Sequence, residues 1–137
     1  MEKMWVGAKS LVVFNRKVLM LQRSNYVDLG KGEWDIPGGG MQFDEDLPDC
    51  LHREVGEETG LAVRVDRLLY AVAKLVNPTV QVVILVYLSH ANSDKVTLSR
   101  EHTDYLWATK QQLRELLTKP TLHDYEKNSV FDLPDFD

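Results

Sequence analysis

Residues 38–61 read GGGMQFDEDLPDCLHREVGEETGL, and they restrict what the chain can fold into more than any other stretch. Gly38, Gly39 and Gly40 open it, a run whose backbone can approach a ligand closely. A helical pattern follows. Asp46 suits the N-cap, where its carboxylate accepts from the open N–H groups of the first turn. Pro48 falls inside that turn, where a missing N–H costs little. Gly60 stands where a left-handed residue ends a helix. At about 100° per residue, Leu47, Cys50, Leu51, Glu54 and Glu58 project along one stripe, with Glu57 beside it. The stripe is apolar for two turns and acidic in the last.

That acidic turn is a local conflict. Carboxylates at a helix C-terminus face the negative end of the macrodipole, which disfavours each by roughly 0.3–1 kcal/mol. Glu54 and Glu58 also repel one another four residues apart. Arg53 can answer Glu57 at the same spacing, but not all three. Sequences break local rules most often at functional sites, and a divalent cation would resolve this one. Oxygen-rich, sulfur-poor ligands favour a hard ion, Mg²⁺ or Mn²⁺, over zinc. The alternative is a solvated acidic helix end, the commoner fate of any single glutamate.

At 137 residues the chain suits one domain, residues 1–137, with a single core. Its net charge of −5 argues against a nucleic acid polymer as partner, since that needs clustered Lys and Arg. A polyphosphate substrate would meet an acidic protein and would need metal ions between the two. The lone cysteine, Cys50, cannot form an intrachain disulfide, and on the apolar stripe it reads as a small buried residue. The longest apolar run, residues 82–88, is too short to span a bilayer, and no signal peptide is visible. The expectation is a cytoplasmic enzyme.

Residues 5–14 and 17–22 read as strands around an Asn15-Arg16 hairpin turn. Val12, Val13, Val18 and Leu19 are core candidates. Arg23 at the end of the second run is either a solvated arginine or a phosphate contact. Residues 25–33 read as a loop punctuated by Gly30 and Gly32. Trp34 is either core or a stacking partner for a base. Residues 62–76 and 79–88 are β-rich and turn at Asn77-Pro78. The second run is nearly continuously apolar, which predicts a central strand covered on both faces. Residues 105–108 form a short strand, and Thr109 caps a helix to about residue 118 with Leu113, Leu116 and Leu117 inward. Residues 119–137, with Pro120 and Pro134, are expected to form an irregular C-terminal segment. Strands around two helices make an α/β sandwich.

Gly39, Glu45, Arg53, Glu54, Val55, Glu57, Glu58, Gly60 and Leu61 resemble the Nudix box, Gly-x5-Glu-x7-Arg-Glu-U-x-Glu-Glu-x-Gly-U, at every fixed position over 23 residues. The lead-in from Gly32 to Gly39 is also similar to that family. The resemblance implies a mixed β-sheet between helices and hydrolysis of a diphosphate linkage in a nucleoside diphosphate derivative. It implies Glu54, Glu57, Glu58 and the Gly38 carbonyl as metal ligands, with Glu45 in support. Arg53 would orient a carboxylate, and Arg23, Gly39 and Gly40 would contact substrate. The base that takes a proton from water would be Glu57, Glu58 or Glu101; His102, beside Glu101, lacks a sequence partner to set its tautomer. His52, His90 and His123 show no metal-ligand spacing and read as surface residues. The favoured substrate is a nucleoside triphosphate, canonical or oxidised. ADP-ribose or a nucleotide sugar is the alternative, as Pro78 lies where ADP-ribose-cleaving members often carry proline. A non-catalytic nucleotide sensor is a third reading, set against by the complete set of carboxylates. A small-molecule nucleotide is the expected partner, and exposed apolar residues permit a homodimer.

Overall fold

The structure, a computed structural model, describes residues 1–27 and 29–137. Asp28, in the expected 25–33 loop, lies outside the described residues. Strand β1 (Lys3–Phe14) turns into β2 (Lys17–Arg23) through Asn15 and Arg16, whose φ angles of 48° and 64° give the twist that a two-residue hairpin needs. β1 is the strand around which the sheet is assembled. On one side it pairs antiparallel with β2 at its end and with β4 (Gly38–Gly40) nearer its start. On the other side it runs parallel to β6 (Val80–Ala91). β2 also carries β3 (Trp34–Asp35) and β7 (His102–Ala108), and β5 (Val63–Asn77) pairs antiparallel with β6. The result is a seven-stranded mixed sheet.

Alternation along β1 divides the core in two. Ala8 and Val12 face α1 (Leu47–Thr59), where Cys50, Leu51 and Val55 pack together with Leu19 and Leu21 of β2. Leu11 and Val13 face the opposite side, against Leu113 of α2 (Lys110–Leu116) and Tyr125 of α3 (Lys119–Lys127). This is the expected α/β sandwich with helices on both faces. Thr109 caps α2 through a reciprocal capping box with Gln112. Trp34 is half-buried against the α2/α3 core, which supports its core reading. No helix among the described residues is long and apolar enough to cross a membrane.

Two expectations need correction. Residues 119–137 are not an irregular tail: they form α3 and a 3₁₀ turn, Val130–Asp132. Pro120 sits in the first turn of α3, where it is tolerated rather than disruptive. Tyr125, Val130 and Phe136 are each 1% exposed and complete the second core. The end of the chain is tied down as well. The Arg16 guanidinium holds the Asp137 carboxylate at 2.6 Å, and the Asp137 N–H donates to the Arg16 carbonyl. The other correction concerns β6. It is interior by hydrogen bonding, but residues 80–85 are only half-buried, because α2 and α3 cover the far end of the sheet. Its apolar side chains there form the wall of a cleft.

Replacing Phe136 by Ala should cost roughly 3 kcal/mol of stability, the usual penalty for emptying an aromatic core site. Chemical denaturation measures this; a loss below about 1 kcal/mol would mean that the C-terminal segment is not part of the core.

Candidate active site

Helix α1 forms where the sequence predicts. The Asp46 carboxylate accepts from the Asp49 N–H at 2.8 Å, and Gly60 (φ 72°) closes the helix in the left-handed region. The irregular segment before β7 covers its C-terminal end. The Thr97 N–H donates to the Thr59 carbonyl at 2.9 Å and the Ser99 N–H to the Glu58 carbonyl at 3.4 Å. These bonds satisfy carbonyls that a helix end leaves open, and they bring the start of β7 beside the acidic turn.

Arg53 organises the acids. Its Nε donates to Glu45 Oε2 at 2.7 Å and its Nη2 to Glu45 Oε1 at 2.9 Å, a bidentate fork. Nη1 donates to Glu54 Oε1 at 2.8 Å and lies 3.5 Å from Glu57 Oε2. Nη2 also donates to the Gly40 carbonyl at 3.0 Å, so one side chain ties α1 to β4. The fork holds the Glu45 carboxyl down at about 2 and raises the Arg53 pKa. Glu45 is thereby kept ionised as a support.

Glu58 is in a different state. It is 6% exposed, and burial pushes its pKa up to about 8, opposed by the Gly38 N–H, which donates to its Oε1 at 2.8 Å. The charges of Glu54 and Glu101 push the same way. Burial also raises Glu54. Its carboxylate lies against Gly39, where an added Cβ would come within 2.5 Å of the carboxyl carbon. At Gly38, a Cβ would fall 2.3 Å from the Ala8 carbonyl oxygen, at φ 156°. The glycines of β4 thus let backbone lie between β1 and two carboxylates.

The structure brings Glu45, Arg53, Glu54, Glu57, Glu58 and Gly38 together. Glu57 is the outlying member, its side chain 61% exposed. Glu101 is exposed just before β7, and its charge reaches Glu54 and Glu58. Arg23 ends β2, and its Nε donates to the Leu29 carbonyl at 3.0 Å. With Gly39 and Gly40 it lines a cleft of about 750 Å³ whose apolar wall includes Trp5, Phe43, Val82 and Ile84. Sequence reasoning gave His102 no partner, yet its Nε2 lies 3.9 Å from Glu58 Oε2 and its buried Nδ1 has no partner among the described residues. Burial lowers its pKa. Its partner is 44 residues away in sequence, and no local spacing could have announced the contact. His90 was also misread: it stands between Asp66 (3.5 Å) and Asp135 (3.7 Å), far from the box in the chain.

The donor set of Glu54, Glu57 and Glu58 is all oxygen, and their charge exceeds what Arg53 can offset. Those residues fit a hard divalent ion.

A NUDIX domain family model matches residues 5–130. The chain belongs to the NUDIX domain family. Among its relatives, a MutT-like protein of Streptomyces ambofaciens is 35% identical over 88 residues, which cover 64% of this chain and 55% of that protein. The chain therefore spans about half the length of that curated relative. The nucleoside triphosphatase NudI of Enterobacter sp. (strain 638) is 29% identical over 96 residues, 62% of this chain and 67% of that one. Among solved structures, the MutT protein of Methanosarcina mazei Go1 superposes with a TM-score of 0.85 at 25% identity, over 96% of each chain.

Within this Nudix fold, Glu58 makes stability depend on pH. Its folded pKa lies above the ordinary carboxyl value of about 4.3, so the folded state binds more protons than the unfolded one between that value and about 8. Without divalent ions, stability should therefore fall as pH rises through that window. Glu58→Gln keeps an acceptor for the Gly38 N–H and removes the ionisation. It should flatten the profile and raise stability at pH 8 by on the order of 2–4 kcal/mol. Thermal melts in EDTA from pH 5 to 9 measure this, and an unchanged slope in Glu58→Gln would refute the assignment.

Proposed function

We propose that this Nudix chain is a metal-dependent hydrolase that cleaves a diphosphate linkage in a nucleoside triphosphate to give a nucleoside monophosphate and pyrophosphate. The observation that carries the reading is the pairing of an Arg53-fixed carboxylate group with buried Glu58, both against the glycine strand at the side of a nucleotide-sized cleft. The NudI relative, named a nucleoside triphosphatase, supports the substrate class.

The side chains fit the division of labour such a reaction needs. Glu54, Glu57 and Glu58, with the Gly38 carbonyl, would hold Mg²⁺ or Mn²⁺. Bound there, the ion supplies charge neutralisation for the phosphates and a lowered pKa for water. Arg53 does not reach for substrate: its donors are occupied by Glu45, Glu54 and the Gly40 carbonyl, and it positions those groups. Arg23 lines the cleft and suits a phosphate oxygen. As water attacks phosphorus, its proton passes to a carboxylate and the bond to the departing phosphate oxygen breaks. Glu57 and Glu101, both exposed, and Glu58, held near neutral pH, are the candidates for that base. Asn77-Pro78 gives no support to ADP-ribose. The Asn77 side chain accepts from the Thr79 N–H at 2.9 Å, and the pair turns β5 into β6.

The test is pyrophosphate and phosphate release from canonical and oxidised nucleoside triphosphates, ADP-ribose and nucleotide sugars in Mg²⁺. A triphosphate should turn over best. Glu57→Gln should lower kcat by about 10²–10⁴-fold, the range for losing a group that acts in the transition state, and EDTA should abolish turnover. No turnover of any compound, with nucleotide binding intact, would replace the hydrolase reading with that of a sensor.

A further inference from the structure

Val86 and Leu88 of β6 point into the α2/α3 core, and the alternation of the strand carries His90 onto the same face. The β1–β6 register agrees, because His90 stands beside the core residue Val13. The cleft wall at Ile84 lies about 20 Å back along β6, and the box acids occupy the helix on the other face. His90 therefore belongs to neither.

Two aspartates from distant parts of the chain meet it. Asp66 is the extra residue of a bulge in β5: Val65 pairs with Ser89 and Arg67 with Leu88, leaving Asp66 without a partner in the ladder. A bulge re-aims the side chain it carries, and Asp66 Oδ2 comes to 3.5 Å from His90 Nε2. Asp135 Oδ2 approaches the same nitrogen to 3.7 Å. Asp135 is held on both sides. The Pro134 carbonyl accepts from Arg16 Nη1 at 3.2 Å, the Asp137 N–H donates to the Arg16 carbonyl, and Phe136 is buried. The three ligand atoms all lie within 4.8 Å of one another.

These spacings decide between an ion pair and an ion site. A charged imidazole hydrogen-bonding a carboxylate would close to about 2.7–2.9 Å, and neither aspartate does. Nitrogen and oxygen ligands about 2.0–2.2 Å from one tetrahedral ion stand roughly 3.3–3.6 Å apart, which is close to both distances from Nε2. Arg67 Nη1 also lies 3.4 Å from Asp66 Oδ2, but as an exposed pair of neighbouring residues it competes weakly. The donor set differs in kind from the all-oxygen box. One imidazole with two carboxylates suits Zn²⁺ better than Mg²⁺ or Ca²⁺. All three side chains are partly open to solvent, so water can complete a tetrahedron.

We propose that Asp66, His90 and Asp135 form a Zn²⁺ site separate from the box acids. The ion pins the C-terminal segment to the β5–β6 edge of the sheet, joining residues that β-pairing alone does not connect. The site is independent of the hydrolase reading above.

Zn²⁺ titrated by calorimetry into untagged, metal-stripped protein tests this, with His90→Gln and Asp66→Asn alongside the parent. The parent should bind one more equivalent than His90→Gln, whatever the box acids take up in both. Asp66→Asn should weaken that equivalent by more than the roughly 10–100-fold that loss of an outer-shell partner costs. Saturating Zn²⁺ should raise the melting temperature of the parent by about 5 °C more than that of His90→Gln. Equal stoichiometry and equal melting shifts in the three proteins, or no Zn²⁺ binding by the parent, would overturn the proposal. Nucleotide turnover in Mg²⁺ should be the same in parent and His90→Gln, so the hydrolase reading stands or fails separately.

Discussion

The Arg53 guanidinium is the interaction on which the rest of the site depends. Five N–H donors in a rigid plane meet Glu45 bidentately, Glu54 once and the Gly40 carbonyl once. A lysine could supply the charge but not that geometry. The contact joins three pieces of chain: the loop before α1, the last two turns of α1, and β4. It also keeps Glu45 ionised. Glu45 is held far below neutrality by the fork, whereas Glu58, beyond its reach, is left to burial and rises to about 8. Two carboxylates on neighbouring elements thereby differ widely in proton affinity.

Glycine makes that arrangement sterically permissible. β4 is squeezed between the backbone of β1 and the side chains of Glu54 and Glu58. A Cβ at Gly38 or Gly39 would overlap backbone or carboxylate atoms, so the strand must be built without side chains there. The triple glycine seemed in sequence to offer backbone to a ligand. In the structure its first service is to the protein's own carboxylates, and the cleft wall comes with it.

Features written in neighbouring residues were legible in the sequence. Asp46, Pro48 and Gly60 bound α1 because caps act over three or four residues, and Asn15-Arg16 turns the first hairpin for the same reason. The clustering of the box acids was visible in their spacing, and their proposed role came from the resemblance to the Nudix box. What escaped depends on chain segments far apart. Residues 119–137 read as loose because Pro120 and Pro134 punctuate them, yet Tyr125, Val130 and Phe136 are held by the sheet they cover. His102 found Glu58, and His90 found Asp66 and Asp135, across separations that periodicity does not encode. One signal was available and went unread: Lys9 interrupts an apolar alternation in β1. A lysine on an inward face needs an ionic partner, which Asp35 supplies.

The charge distribution bears on how an acidic protein would receive the anionic substrate proposed for it. The helix end that gathers Glu54, Glu57 and Glu58 is negative by macrodipole as well as by side chain, and a triphosphate would be repelled from it without cations. The fixed cations near the cleft are spent differently. Arg53 is consumed by carboxylates, whereas Arg23 and Lys9 line the opening itself. Under the proposed hydrolase reading, attraction for phosphate would not come from the box residues by themselves; it would need the divalent ion that their oxygens suit, with Arg23 as the protein's own contribution. Affinity for the uncharged part of such a substrate would then fall to the apolar wall formed by Trp5, Val82 and Ile84. That wall is open for a concrete reason: α2 and α3 stop short of the half-buried start of β6, leaving sheet where a longer helical layer would have closed the core.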